Sequence, residues 1–316
     1  MSPRPLVVDT DPGIDDAFAL ALAVGSPEVD LRAVTTVFGN VSLEATTGNA
    51  RRVLALCGRH DVPVAAGADR PLVRPQPHRS THVHGDDGLG GQSRSLPVPH
   101  NEIDPRRAVE VLADVLRRAE EPVTIAPIGP LTNIALLLAC HPELKPRIDR
   151  LVVMGGGLET GNITAVAEFN IWSDPEAARR VLVEEDVPVV LVPVDLTHRC
   201  AVDPEWLDAL AASGPVGAGL TSLTAPYRAN YRQALGRDVM VLHDAVALAE
   251  AIQPGILRCQ RMSVEVECGT GPTRGMVVGD RRRQSVNRVG REIEVAVDAD
   301  LDALRAFLLE RLARGR

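Results

Sequence analysis

Aromatic residues are scarce in this chain, 3% of its 316 residues, with two tryptophans and two tyrosines. Its core must therefore be aliphatic. Hydrophobic residues reach 45%, enough for a large interior, yet no apolar run approaches the ~18 residues expected of a membrane-crossing helix. Positive charge is also in deficit, since the formal balance is 34 − 42 = −8 and no basic run exceeds Arg281-Arg282-Arg283. That balance serves a nucleic-acid-binding surface poorly, and the arginine triplet is expected to be a solvated turn between strands. Cysteine pairs are missing: Cys57, Cys140, Cys200, Cys259 and Cys268 form no Cys-x-x-Cys motif. They are expected as buried free thiols in a reducing compartment, neither a disulfide framework nor a zinc site. The first residues lack a basic segment followed by an apolar one, so no signal peptide is expected and the cytoplasm is the expected location.

What is present is a rhythm. Short Val/Ile/Leu-rich runs at 5–9, 30–37, 62–65, 122–127, 149–154 and 187–194 alternate with helical patterns at 15–24, 42–57, 104–119, 130–140 and 174–185. Apolar runs without polar alternation suit strands covered on both faces. The pattern predicts an α/β fold, a doubly wound and mostly parallel sheet. Ser42 ahead of Glu44, and Asp174 ahead of Pro175 and Glu176, mark helix starts. After residue 200, helical segments at 204–212, 216–234 and 239–252 form an insertion. Strands near 262–267, 275–279, 284–287 and 292–297, expected to be antiparallel, and a helix over 300–313 complete the chain. A single domain over 1–316 is expected. The Pro/His/Gly-rich stretch at 71–99 reads as a long loop of the functional kind.

In such a fold chemistry gathers at the carboxyl ends of the strands. The densest cluster, Asp9-Thr10-Asp11-Pro12-Gly13-Ile14-Asp15-Asp16, ends the first one. Two readings stay open. Asp11 before Pro12 suits an N-cap, with Asp15 and Asp16 at the positive end of the helix dipole. Alternatively the oxygens converge on a hard divalent cation, leaving Asp11 to take a proton from water. Asp9 and Asp11, two apart, are expected to share a strand face. Elsewhere, Gly155-Gly156-Gly157 lacks the pattern of a phosphate cradle. Asn162, Glu168 and Asn170 behind it suit the hydroxyls of a neutral sugar, although Asx turns would explain any one of them. In His243-Asp244, helical neighbours point about 100° apart. The aspartate, in an apolar segment, needs a partner or a metal, and the histidine becomes a candidate acid. Tyr227 and Tyr231, one helical turn apart, suit either packing or a stacking site. His78, His82 and His84 lie in the long loop, and His82-x-His84 alone is a weak metal signal.

Taken together, these segments resemble the inosine–uridine-preferring nucleoside hydrolases, metal-dependent N-ribohydrolases with a Rossmann-like open α/β fold. The run Asp9 to Ala17 is similar to that family's signature. Gly39-Asn40, Pro127 to Asn133, Met154 to Gly157, Ala167-Glu168-Phe169-Asn170 and His243-Asp244 follow in the family's order, over about residues 5–297. The resemblance implies calcium-dependent hydrolysis of the N-glycosidic bond of ribonucleosides. It implies that Ca²⁺ is held by Asp11, Asp16, the carbonyl of Ile128 and Asp244, with two sugar hydroxyls and a water completing the shell. An oxygen-only shell suits calcium better than zinc or magnesium. It further implies Asp11 as general base, and Asp15, Asn40, Asn162, Glu168 and Asn170 on the ribose hydroxyls, with Met154 lining the sugar pocket. His243 would assist departure of the base, His84 would lie on a loop closing over it, and Tyr227 and Tyr231 would stand beside it. Asp9 is left to support the turn from behind. A homodimer or homotetramer is implied as well. The chain departs from the pattern at Ala245, where proline is frequent, and over 72–100. Two rivals remain: a metal-dependent phosphohydrolase using Asp9 or Asp11 as nucleophile, and a non-catalytic calcium-dependent nucleoside or sugar binder. The first lacks a lysine or arginine near the motifs to hold phosphate.

Overall fold

In the computed structural model, which describes residues 2–75, 79–100, 102–282 and 287–314, the aliphatic runs pair into one nine-stranded sheet. Its first six strands are β1 (Arg4–Thr10), β2 (Val29–Thr36), β3 (Val64–Ala66), β4 (Val123–Pro127), β5 (Ile148–Met154) and β6 (Val189–Val192). A separate ribbon pairs β7 (Ala201–Val202) with β8 (Met240–Val241). The main sheet is completed by β9 (Leu257–Val266), β10 (Val277–Asp280) and β11 (Arg291–Ala299). The order is β10-β9-β11-β6-β5-β4-β1-β2-β3. Neighbours are parallel from β3 through to β11, while β9 runs antiparallel to both β11 and β10.

Both faces are covered. On β1, Leu6 and Val8 enter one apolar cluster while Val7 enters the other. Val190 and Val192 of β6 alternate with Leu191 in the same way. This period of two with apolar residues on both sides is why these strands read as unbroken hydrophobic runs. One face packs against α1 (Ile14–Gly25), α2 (Leu43–Leu56), α12 (His243–Ile252) and α13 (Leu301–Leu312), and the other against α4 (Ala108–Arg118), α5 (Thr132–Cys140) and α7 (Pro175–Arg179). The remaining helices are short α3 (Thr81–His84), α6 (Phe169–Ser173) and α8 (Val194–Thr197), then α9 (Pro204–Ala212), α10 (Pro215–Ser222) and α11 (Ala225–Leu235).

Several expected elements are corrected. Asp104 precedes a proline, which disfavours helical backbone. It bridges β3 at Ala65 instead, so α4 begins only at Ala108. The expected helix at 216–234 is two, divided before Pro226. The one at 239–252 begins with strand β8 and turns helical only at His243. The helix at 174–185 is regular as far as Arg179 and then widens into one π turn. Strand β9 starts at Leu257, ahead of the expected 262. Of the expected strand at 284–287, residues 284–286 lie outside the described residues, as do Arg283 and His78. Arg281 and Arg282 are exposed and paired with Glu159 and Asp280. The cysteines are free, but only Cys57 and Cys200 are buried; Cys140, at the solvent-facing end of α5, is exposed. Burial pushes the Cys57 thiol up to about 12. Among the described residues no helix is long and apolar enough to cross a membrane.

Candidate active site

β2 lies on one side of β1 and β4 on the other, so the winding reverses between β1 and β4. A crevice opens at such a reversal, beyond the carboxyl ends of the strands. The acidic run after β1 and the turn after β4 meet there.

The turn after β1 is not capped by Asp11. Helix α1 opens at Ile14 with Gly13 as its cap, and Asp16 reaches back to accept the Gly13 N–H at 2.8 Å. A carboxylate at the third helical position satisfies the cap's backbone in this way. The other oxygen of Asp16 accepts the Thr10 hydroxyl. Asp11 is thereby free of capping. Its Oδ2 accepts the Asn40 N–H at 2.7 Å, and two glycines make room for its carboxylate. A Cβ on Gly39 would stand 1.9 Å from Oδ2, and one on Gly129 2.5 Å from Oδ1. Asp9 and Asp11 do not share a strand face, because β1 ends at Thr10. Asp9 turns away toward the Thr35 hydroxyl and the Asn133 amide. Burial raises its carboxyl to about 7, and Oδ2 has no hydrogen-bond partner among the described residues.

Asp244 arrives from the far side. It stands in the first turn of the largely apolar α12, at the positive end of that helix. Asp15, Asp16 and Asp244 each bring a carboxylate oxygen within 4.8 Å of the others and could hold a metal ion. Asp11 is outside that trio. All four are buried, and burial, followed by the charge of neighbouring acids, pushes Asp11 and Asp15 above the ordinary carboxylate range. Asp244 is raised by burial and then by Asp15, Asp16 and Asp11, and Asp16 by burial against its hydrogen bonds. No lysine or arginine lines the cavity among the described residues. Buried oxygen donors with no organic counter-charge fit a hard cation.

Beside the carboxylates, the Asn170 amide donates to the carbonyls of Ile128 (2.9 Å) and Met154 (3.2 Å). A carbonyl oxygen has a second lone pair, so Ile128 keeps acceptor capacity. Glu168 caps α6, taking the N–H groups of Asn170, Ile171 and Gly156, and burial raises its carboxyl. Asn162, more exposed, accepts the Phe169 N–H. The Asn40 amide donates to the Asp11 carbonyl and to Asp16.

The opposite end is aromatic. Tyr227 and Tyr231 stack with centroids 5.0 Å apart. The Tyr227 hydroxyl donates to the Val241 carbonyl, while that of Tyr231 lies 2.8 Å from His243 Nε2. The pair packs within the helical insertion, and both rings also line the cavity. The second nitrogen of His243, Nδ1, meets Thr197 Oγ1 at 2.6 Å, and burial drives this imidazole well toward the neutral form. His84 accepts the Ile14 N–H on Nδ1 at 3.0 Å and is buried, its ring 5.5 Å from Tyr227. Burial lowers it to about 3. With Nδ1 engaged as an acceptor, it forms no His82–His84 metal pair through that nitrogen.

The cavity enclosed measures about 270 Å³ and is lined by Asp11, Asp15, Asn40, Ile128, Asp244 and the residues of both ends. A larger groove of about 530 Å³ runs beside β9 and β11. None of the expected site residues lines it, and its arginines are matched by acids, among them Arg199 with Asp298 and Arg261 with Glu292.

Residues 6–306 match the sequence profile of the inosine-uridine preferring nucleoside hydrolases. The chain belongs to that family. It is 41% identical over 312 residues to the pyrimidine-specific ribonucleoside hydrolase RihA of Photobacterium profundum, covering 98% of this chain and 99% of the relative. It is 37% identical to the inosine-uridine preferring nucleoside hydrolase of Leishmania major, covering 99% and 98%. Among solved structures, a plant nucleoside hydrolase superposes with a TM-score of 0.91 at 30% identity, covering 98% and 99%. A purine-preferring ribonucleoside hydrolase from Gardnerella vaginalis does so with 0.90 at 29%, covering 98% of each chain. Membership makes this chain a hydrolase of N-glycosyl compounds.

In this nucleoside hydrolase the fold adds lining residues that the sequence reading did not single out. Ser80, Asn230 and His198 reach the cavity. Asn230 was in principle visible, three residues after Tyr227 and so on the same helical face. The Thr197-His198 pair ends a polar cluster at a strand's carboxyl end, but nothing in it signals that it meets His243.

Proposed function

We propose that this nucleoside hydrolase cleaves the N-glycosidic bond of ribonucleosides in a calcium-dependent reaction, with Asp11 as general base on the attacking water. The observation that carries the reading is a cluster of four buried carboxylates at a cavity that no lysine or arginine lines among the described residues. Asp11, Asp16, Asp244 and the Ile128 carbonyl are the proposed calcium ligands, and Asp15 lies close enough to join them or to meet a ribose hydroxyl. When bound, calcium supplies a positive charge that acidifies water and draws in the vicinal hydroxyls of ribose.

The chain's own groups do the rest. Asp11, free of capping and held by Asn40, takes one proton as the water oxygen bonds to C1′ and the C1′–N bond breaks. Positive charge develops on the ribosyl ring during that break, and the buried carboxylates stabilise it without reorganising. Asp15, Asn40, Asn162, Glu168 and Asn170 address the ribose hydroxyls, with Met154 against the ring. The departing base takes a hydrogen bond from the Tyr231 hydroxyl, with His243 behind it and the Tyr227 and His84 rings beside it, and the proton it gains from solvent on release is matched by the one that Asp11 gives back. Binding between these buried walls excludes bulk water. A phosphorylated substrate would meet four buried acids and, among the described lining residues, no lysine or arginine, which weighs against a phosphohydrolase. The family resemblance also carries a homodimer or homotetramer as part of the proposal, and the scattered, unpaired cysteines carry a cytoplasmic location.

The test is release of free ribose from purine and pyrimidine ribonucleosides and their 2′-deoxy analogues, with calcium and with a chelator. Ribose release from ribonucleosides that stops with the chelator and returns with calcium is expected, with deoxy analogues much slower. If no nucleoside yields its sugar in the presence of calcium, the reading fails. Both base classes belong in the panel because relatives of both preferences resemble this chain.

A further inference from the structure

Thr197 closes α8 just beyond β6 and is wholly buried. Its hydroxyl oxygen lies 2.6 Å from His243 Nδ1, and 3.4 Å from the Val194 carbonyl of its own helical turn. A hydroxyl carries one hydrogen and two acceptor sites. The contact to His243 is much the shorter of the two, so the hydrogen is directed at Nδ1. The ring's own proton is then on Nε2, which donates to the Tyr231 oxygen at 2.8 Å and leaves the Tyr231 O–H free to donate into the cavity. The next residue, His198, sets its ring nearly edge-on to His243, with centroids 5.1 Å apart and planes at 71°. A flip of the imidazole would break both hydrogen bonds at once and disturb the ring contact.

We infer that Thr197 is a positioning residue for departure of the base: its hydroxyl holds His243 in the one orientation and tautomer that present the Nε2–H to Tyr231, whose own O–H then faces the departing base. The inference rests on the hydrolase reading above and adds to it a residue that touches neither substrate nor metal ligand. Without the hydroxyl, a buried ring nitrogen loses its partner and the imidazole has a reason to turn. Catalysis at the water end, through Asp11, is served by other elements.

The test compares two leaving groups in the calcium-loaded enzyme. Nucleosides need help at the departing nitrogen, whereas 4-nitrophenyl β-D-ribofuranoside expels a stable phenolate that needs no proton. Thr197→Val keeps the side chain's shape and removes its hydroxyl. It is expected to lower kcat on nucleosides by about 10- to 100-fold relative to kcat on the nitrophenyl riboside, with KM changed by less than about threefold. Thr197→Ser, which restores the hydroxyl, is expected to restore the ratio. An unchanged ratio in Thr197→Val, including equal losses on both substrates, overturns the positioning role and leaves the hydrolase reading standing. So does a Thr197→Ser variant that behaves like Thr197→Val. Wild-type enzyme inert toward both substrates overturns the hydrolase reading, and the role of Thr197 with it.

Discussion

Asp11 sits where the chain has the least freedom to move it. The Asn40 N–H holds one oxygen, and Gly39 and Gly129 press close to both. Asp11→Asn keeps the shape and most hydrogen bonds but removes the base. Turnover is expected to fall by about 10²- to 10⁴-fold while nucleoside affinity stays within a few-fold; steady-state kinetics beside equilibrium binding check this, and unchanged turnover would remove Asp11 from the role. Gly39→Ala tests the geometry in another way. Its Cβ cannot coexist with the present Oδ2 position, so kcat is expected to drop at least about tenfold, with the circular dichroism spectrum retained. Why some site residues were legible and others were not follows from how each announces itself. Asp11, Asp15, Asp16 and Asp244 stand out because acids at strand ends or among apolar neighbours demand a reason. Thr197 and His198 stand out only as part of a polar cluster at a strand's carboxyl end, since their meeting with His243 is set by how α8 packs near α12. Asp9 misled for a related reason: alternation of faces holds only while the strand lasts, and β1 stops one residue before Asp11.

Elements were legible where period and punctuation agreed. β1, β4, β5 and α5 fall close to their expected ranges, because continuous apolar runs and flanking Gly or Pro define their limits. The helical insertion was harder. Its apolar content masks the interruptions, and only the prolines at 215 and 226 and the left-handed Gly236 that ends α11 mark them. Capping was legible when a short polar side chain preceded the helix. Ser42 accepts the Ala45 N–H and Asp174 the Ala177 N–H. It failed at α1, where the capping group comes from inside the helix. Asp300 provides a clean measure of an ordinary cap, since it accepts the Ala303 N–H at the start of α13, away from the cavity. Asp300→Ala is expected to cost about 1 kcal/mol in urea denaturation and to leave kcat unaltered. A loss of activity there would mean that α13 is coupled to the site.

At the scale of the molecule, burying four acids together is unfavourable until a cation joins them. Calcium at 100 times its dissociation constant is expected to stabilise the fold by about 2.7 kcal/mol, a rise in melting temperature of about 4 °C for a chain of this length. Magnesium at equal concentration is expected to do less, because it demands a tighter octahedral shell. Differential scanning fluorimetry with chelator, calcium and magnesium checks both, and identical curves in all three would argue against a calcium site.

The reversal of winding between β1 and β4 has one more consequence. It gathers Asp11, Asp16, Ile128 and Asp244 from segments that span most of the chain, so no fragment and no half-formed sheet contains the whole set of proposed calcium ligands. On the proposed ligand set, calcium affinity is a clock for folding. In a refolding experiment, uptake of the ion should lag behind the recovery of helical signal and coincide with the last long-range docking step, when α12 closes against α1 and brings Asp244 to the acids of the first turn.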